Sequence, residues 1–266
     1  MEGMNFSAII GFAICVSVLV LSVMQSQGAR AILLNEHAIL IVIGGTMAST
    51  FICFPIQRVF TLTLVAIRKL VGLRKFDYQE IINEVIGIAD TLQRDPNALR
   101  SMASGIKDHF LKEGIELLAG GVTEDQLTEI MGTRIETFKR QHTAEANMFR
   151  TIGRFPPAFG LLGTTLGMIT LLNQLGGADA QKLVGPSMAI GLVATLYGIG
   201  LTNFLFIPIA ENLTLASSED LAARKMILEG LRMIKRKVHP ILVEEMMKSY
   251  LMPQARSALK SKGKLT

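Results

Sequence analysis

Four stretches of this chain contain no Asp, Glu, Lys or Arg: Gly3 to Ala29, His37 to Gln57, Phe155 to Ala178 and Leu183 to Ala210. The hydrocarbon core of a bilayer is about 30 Å thick, which a helix rising ~1.5 Å per residue crosses in roughly 20 residues. Each stretch is long enough. No water is available inside lipid to satisfy backbone N–H and C=O groups, so an uninterrupted apolar run of this length is constrained to be helical. Arg30 and Asn35 mark a short turn between the first two runs, and Gly176, Gly177 and Asp179 one between the last two. The expected fold is an all-α membrane protein with four transmembrane helices in two hairpins and a helical cytoplasmic domain between the second and third spans.

The division that follows has residues 1–57 as the first hairpin, with spans about 5–28 and 37–56, and residues 58–154 as the cytoplasmic domain. Residues 155–210 form the second hairpin, with spans about 156–176 and 184–209, and residues 211–266 are C-terminal helices and a basic tail. With 266 residues, a hydrophobic fraction of 50% and a mean hydropathy of +0.41, the chain has more apolar surface than one soluble core needs. Cys15 and Cys53 sit inside apolar runs, without metal or disulfide spacing.

Charge sets the orientation. A net charge of +5 with a pI near 9.3 would raise nucleic acid as a partner in a soluble protein. Here topology explains it, and no nucleic-acid partner is expected. Arg30 stands alone in the first turn and Lys182 in the last, whereas 58–154 holds fourteen basic residues and the C-terminal segment eleven, out of 27. By the positive-inside rule the middle segment, the C-terminus and therefore the N-terminus are cytoplasmic. Met1, Glu2 and Gly3 make no basic n-region, so the first run reads as a retained span.

The cytoplasmic segment is punctuated as helices. Ile81, Ile82, Val85, Ile86, Ala89 and Leu92 have amphipathic spacing, Asp95 with Pro96 signals a further start, and Thr123 with Gln126 forms a capping box. The helix it opens runs on towards the third span. A charged helix is expected over about Glu211 to Val238, and His239 with Pro240 starts a short one ending near Tyr250.

No run contains a side chain that could take up and release a proton by ionising as a carboxylate, so another subunit must supply that group if this chain helps to move ions. His37 lies at a boundary. Gly160, Gly163 and Gly167 on the third span and Gly191, Ala194 and Gly198 on the fourth suit close packing, either of the two helices alone or at a specialised interface. The hydroxyls of Thr164, Thr165, Thr195 and Tyr197 either bond their own helices or offer oxygens to an ion. Pro156 and Pro157 precede the third span's interior and Pro208 leaves the fourth, as terminators or as hinges. No nucleotide loop, metal-ligand cluster or nucleophile with a base is present, and His109, His142 and His239 lack ligand spacing. The residues point away from an enzyme, and no cofactor is expected.

Several motifs are similar to those of a known family. Ala38-Ile-Leu-Ile-Val-Ile-Gly-Gly-Thr46 with Phe54-Pro55, Phe155-Pro-Pro-Ala-Phe-Gly-Leu-Leu-Gly-Thr-Thr-Leu-Gly167, Ala194-Thr-Leu-Tyr-Gly198 with Pro208, and Pro240-Ile-Leu-Val-Glu-Glu-Met-Met-Lys-Ser-Tyr-Leu251 resemble the MotA/PomA family of flagellar motor stators. The resemblance implies an inner-membrane subunit that self-associates as a ring of five around two MotB-type partners, whose membrane helix carries the ion-binding aspartate. It further implies that ion flow turns the ring against the rotor protein FliG. It places the hinge prolines at Pro157 and Pro208, and the ion pathway and partner-helix interface at Thr164, Ala194, Thr195 and Tyr197.

The conducted ion is H+ or Na+. Sodium-type members resemble this chain at Thr164 and Tyr197 but have a second threonine where Ala194 stands. A sodium ion needs several oxygens to replace its hydration, so the lost hydroxyl tilts the expectation towards protons. Relatives carry a basic residue near Arg94 and then a Leu-Glu step, which here is Leu99-Arg100, so Arg94 and Arg100 are the rotor-contact candidates. An ExbB/TolQ-type energiser of outer-membrane processes, which usually has three spans, and a non-conducting membrane scaffold are the competing readings.

Overall fold

The computed structural model describes residues 35–71, 78–95, 98–102, 105–175 and 180–251, with scattered positions outside them. Among the described residues all regular structure is helical. In chain order the helices are α1 (Glu36–Cys53), α2 (Ile56–Val71), α3 (Tyr78–Arg94), α4 (Leu99–Met102), α5 (His109–Ala119), α6 (Glu124–Ile152), α7 (Phe155–Gln174), α8 (Ala180–Leu201), α9 (Ile207–Lys235) and α10 (Pro240–Lys248). Two wide π turns interrupt them, Leu40–Gly44 within α1 and Thr202–Phe206 between α8 and α9.

Among the described residues, three helical stretches contain a window long and apolar enough to cross a membrane: α1, the stretch Glu124–Asn173 and the stretch Val184–Lys235. The expected first span, with the turn after it, lies mostly outside the described residues, as do Pro96, Gly176, Gly177, Asp179 and the end of the tail. The chain divides into two compact units, Met1–Arg74 with Thr143–Leu215, and Lys75–His142 with Ala216–Thr266. The divisions fall within α6 and α9.

The second unit has an aqueous-type core. Its α3 buries Ile81, Ile82, Val85, Ile88 and Ala89, which is helical spacing with Val85 on the axis of the apolar stripe. Ile86, one position off it, is half-buried at the margin. Leu111, Ile115, Leu127, Met131, Met226, Ile227, Leu231, Val243 and Met247 fill the centre with essentially no exposure. Gly114 faces Leu231 so closely that an added methyl would overlap Leu231 Cδ1. Gly114 therefore sets how near α5 and α9 approach.

Caps and ion pairs fix the ends of these helices. The Gln126 amide N–H donates to Thr123 Oγ1 at 3.2 Å and the Thr123 N–H donates to Gln126 Oε1 at 3.0 Å, which is the expected capping box. Asp108 caps α5 by accepting from the Leu111 N–H at 2.9 Å. Gly121, which ends the turn after α5, has φ of +83°, a conformation glycine adopts without a Cβ penalty. Glu124 accepts from Arg232 at 3.2 Å and from Arg236 at 2.8 Å, tying the N-terminus of α6 to the end of α9. Pro240 opens α10 behind the N-cap His239, and this helix buries the Glu244–Lys248 pair at 2.6 Å. Each charge of that pair is compensated by the other, which lets both be buried.

In the first unit α7 and α8 form an antiparallel hairpin. Pro156 meets Gly198, Gly160 meets Ala194, Thr164 meets Gly191 and Gly167 meets Ser187, so the order along one helix reverses along the other. The α1 helix lies alongside, with Gly45 against the Phe159 ring and Ile41 near Gly163. Ala38, Val42, Val193 and Ala194 are buried together there. Leu62 and Ala66 of α2 pack with Ala146, Phe149, Ile152, Ile209, Ala210 and Leu213 in a second cluster.

Candidate ion pathway and partner-helix interface

Gly160, Gly163 and Gly167 of α7 and Gly191 and Gly198 of α8 lie at the contact between these helices. A methyl built on Gly160 would come within 2.9 Å of the Ala194 carbonyl oxygen, on Gly167 within 2.8 Å of the Ser187 oxygen, and on Gly198 within 2.5 Å of the Pro156 oxygen. On Gly191 it would reach 2.9 Å from Thr164 Cα, and on Gly163 2.5 Å from Ala194 Cβ. Contacts of 2.5–2.9 Å leave no room for a side chain, so at four of these glycines backbone meets backbone and at Gly163 backbone meets the Ala194 methyl. Helix packing within the hairpin accounts for all five.

That close approach brings two hydroxyls together. Thr164 Oγ1 and Thr195 Oγ1 are 2.6 Å apart, and Thr164 Oγ1 is also 3.1 Å from the Gly160 carbonyl oxygen and 3.0 Å from that of Gly191. Thr195 Oγ1 is 3.4 Å from the Gly160 oxygen. Two hydroxyl protons serve this group, so one threonine donates to the other and the second donates to a carbonyl. The result is a small knot of oxygens shared between the helices, with both threonines half-buried. Thr165, by contrast, is exposed and its hydroxyl returns to the Leu161 carbonyl at 2.7 Å.

The remaining residues face other ways. Ala194 is fully buried against Gly163, and the Tyr197 hydroxyl donates to the Leu33 carbonyl oxygen, beside α1. Thr164 and Thr195 are therefore brought together, whereas Ala194 and Tyr197 lie on the side of α8 turned to α1. Leu161, Leu166, Ile169 and Leu172 on α7 and Leu192, Leu196 and Ile199 on α8 are exposed, giving the hairpin an open apolar surface.

Pro156 and Pro157 occupy the first turn of α7, where missing N–H groups are best tolerated, with Pro156 buried and Pro157 half-buried. Pro208 is exposed in the first turn of α9, just after the π turn. A proline ring crowds the carbonyl four residues earlier, and the widened turn relieves that conflict. Arg94 is 78% exposed at the end of α3 and paired with Asp90 at 2.9 Å, and the side chain of Arg100 lies outside what is described. Among the described residues no group of three His, Cys, Asp or Glu side chains could hold a metal ion.

Sequence reasoning did not find Thr202, whose hydroxyl donates to the Gly153 carbonyl at 2.8 Å, nor Gly45 beneath the Phe159 ring. The spacing of Thr202 six residues before Pro208 was visible, but its acceptor is far away in the chain.

Residues 102–227 match the MotA/TolQ/ExbB proton channel family. Over those residues the chain resembles the domain of that family. Its curated relatives extend the match well beyond the domain: the chemotaxis protein PomA of Vibrio alginolyticus is 29% identical over 242 residues, covering 91% of each chain. Motility protein A of Cereibacter sphaeroides is 28% identical over 244 residues, covering 92% of this chain and 94% of that one. Among solved structures, the flagellar MotAB stator complex of Bacillus subtilis superposes with a TM-score of 0.85 at 25% identity, covering 96% of this chain and 100% of that one. The chain is thus similar to flagellar MotA/PomA proteins over nearly its whole length, beyond the domain shared with TolQ and ExbB.

Proposed function

We propose that this protein is the ion-channel subunit of a flagellar motor stator in the bacterial inner membrane, acting with a MotB-type partner. One observation carries the reading. The Thr164–Thr195 oxygen knot lies in a hairpin whose two charge-free runs offer polar oxygens but no group that could ionise as a carboxylate. Such a hairpin can line an ion route only beside a helix that brings its own carboxylate, and relatives of this chain occur in MotAB complexes. In this reading four spans form two hairpins, the termini and the 58–154 segment are cytoplasmic, and the exposed apolar surface of α7 and α8 faces the partner helix or lipid.

Five copies surround two partner chains, and the ring drives FliG through a surface that includes Arg94. Proton conduction is favoured over sodium because sodium-type members have a second threonine where Ala194 stands, and a dehydrated sodium ion would use that oxygen. The test is co-expression with a MotB-type subunit in a strain lacking its stators. Swimming should return with the intact partner and fail when the partner's membrane aspartate is changed to Asn. Failure with every MotB-type partner supplied would overturn the reading, and loss of swimming on sodium withdrawal would overturn the proton assignment.

A further inference from the structure

The prolines that open α7 leave two carbonyls short of a donor. In a continuous helix the N–H of each residue bonds the carbonyl four residues earlier, so Pro156 and Pro157 cannot serve Ile152 and Gly153. The chain before them ends on a helical bond, the Gly153 N–H donating to the Phe149 oxygen at 2.9 Å, and a tighter turn, the Arg154 N–H donating to the Thr151 oxygen at 3.1 Å. Gly153 is buried, where an unmet carbonyl is costly. Its oxygen instead receives the Thr202 hydroxyl at 2.8 Å.

Thr202, like Thr164 and Thr195, bonds outside its own helix. The hydroxyls of Thr165, Thr170 and Thr214 return to the carbonyl four residues back in their own helix, at 2.7, 2.9 and 2.8 Å, the ordinary behaviour of threonine in an apolar helix. That of Thr202 leaves its helix. The Thr202 carbonyl in turn accepts the Ile207 N–H five residues on, the bond that widens the backbone ahead of Pro208. The contact is close, because a methyl on Gly153 would come within 3.0 Å of Phe206 Cβ.

We propose that Thr202 is a positioning residue: its hydroxyl replaces the N–H that Pro157 lacks, and so joins the proline break before α7 to the π turn that precedes Pro208. The two breaks then move together rather than independently. The consequence for motility rests on the stator reading; the bond does not.

The test uses the full chain co-expressed with a MotB-type partner, comparing Thr202→Val, which keeps the shape and removes the donor, with Thr202→Ser, which keeps the donor. In the purified complex, Thr202→Val should speed amide hydrogen exchange over residues 152–160 roughly threefold or more, and lower swimming below about half of the unmodified level. Complex recovery should be unchanged, and Thr202→Ser should match the original in every measurement. Pro157→Ala restores the missing N–H, so adding Thr202→Val to it should produce no further rise in exchange, and should restore recovery if the single Val variant fails to assemble. Unchanged exchange in Thr202→Val, a serine variant as impaired as the valine one, or an undiminished valine effect in the Pro157→Ala background would each overturn the proposal. If the unmodified chain does not restore swimming with any partner, the stator reading fails while the exchange comparison still decides the bond.

Discussion

Gly198 lies against the backbone of Pro156, so near that a methyl group on it would sit 2.5 Å from the proline's carbonyl oxygen. The contact joins α8 to the first turn of α7, where the backbone cannot yield without disturbing the prolines. Gly198→Ala should therefore lower the stability of the detergent-solubilised protein by about 1–3 kcal/mol, the usual scale of overpacking. Gly44→Ala, in α1, meets nothing within 4 Å and should be neutral or stabilising by up to ~1 kcal/mol. Equal melting temperatures for the two variants would contradict the packing account.

The Thr164–Thr195 pair predicts non-additivity. Each single change to Val removes one donor and leaves the other hydroxyl with fewer partners, whereas the double change removes both needs at once. A double-mutant cycle on unfolding in detergent should give a coupling of about 0.6 kcal/mol, the scale measured for hydrogen bonds between membrane helices. Under the stator reading Thr195→Val also impairs swimming while the complex still assembles. Full motility in that variant would favour a non-conducting scaffold.

In the second unit, Glu124 titrates below the ordinary carboxylate range, held there first by its hydrogen bond from Arg236 and further by Arg232. A depressed carboxyl stabilises the fold above the unfolded value near 4.5 and loses that contribution as pH falls through the lower folded value. Thermal midpoints measured from neutral to acid pH should fall more steeply for the original protein than for Glu124→Gln. The gap should also shrink at high salt, because both partners reach solvent.

Gly114→Ala offers a parallel test in the second unit. The added methyl would meet Leu231, a fully buried side chain that would have to shift within the core. A loss of about 1–3 kcal/mol is expected, against little change or a small gain for Gly132→Ala, where nothing lies within 4 Å.

The Arg94–Asp90 pair is exposed at 2.9 Å and should contribute only about 0–1 kcal/mol to stability. Under the stator reading, Arg94→Glu should then leave the amount of assembled complex unchanged while weakening torque, read as the rotation speed of tethered cells. Undiminished rotation would remove Arg94 from the rotor surface.

Much of this was legible in the residues. The capping box at Thr123 and Gln126, the apolar stripe from Ile81 to Leu92 and the Pro240 helix start are local signals, and local hydrogen-bond geometry honours them. Gly160, Gly163, Gly167, Gly191 and Gly198 were recognisable as small residues suited to contact. Their pairing was not, because a uniformly apolar helix has no periodicity to say which side faces a neighbour. For the same reason the sequence could not show that Thr164 and Thr195 meet while Ala194 and Tyr197 turn towards α1.

By itself the sequence determined that the chain must place long charge-free runs in lipid as helices, because unmet backbone groups are intolerable there, and that any ionisable group on the route must come from elsewhere. Tertiary structure decided where the prolines' missing hydrogen bonds are made up. Thr202 and Gly153 are far apart in the chain, and only the folding of α7 against α8 brings a hydroxyl to the carbonyl that Pro157 cannot serve.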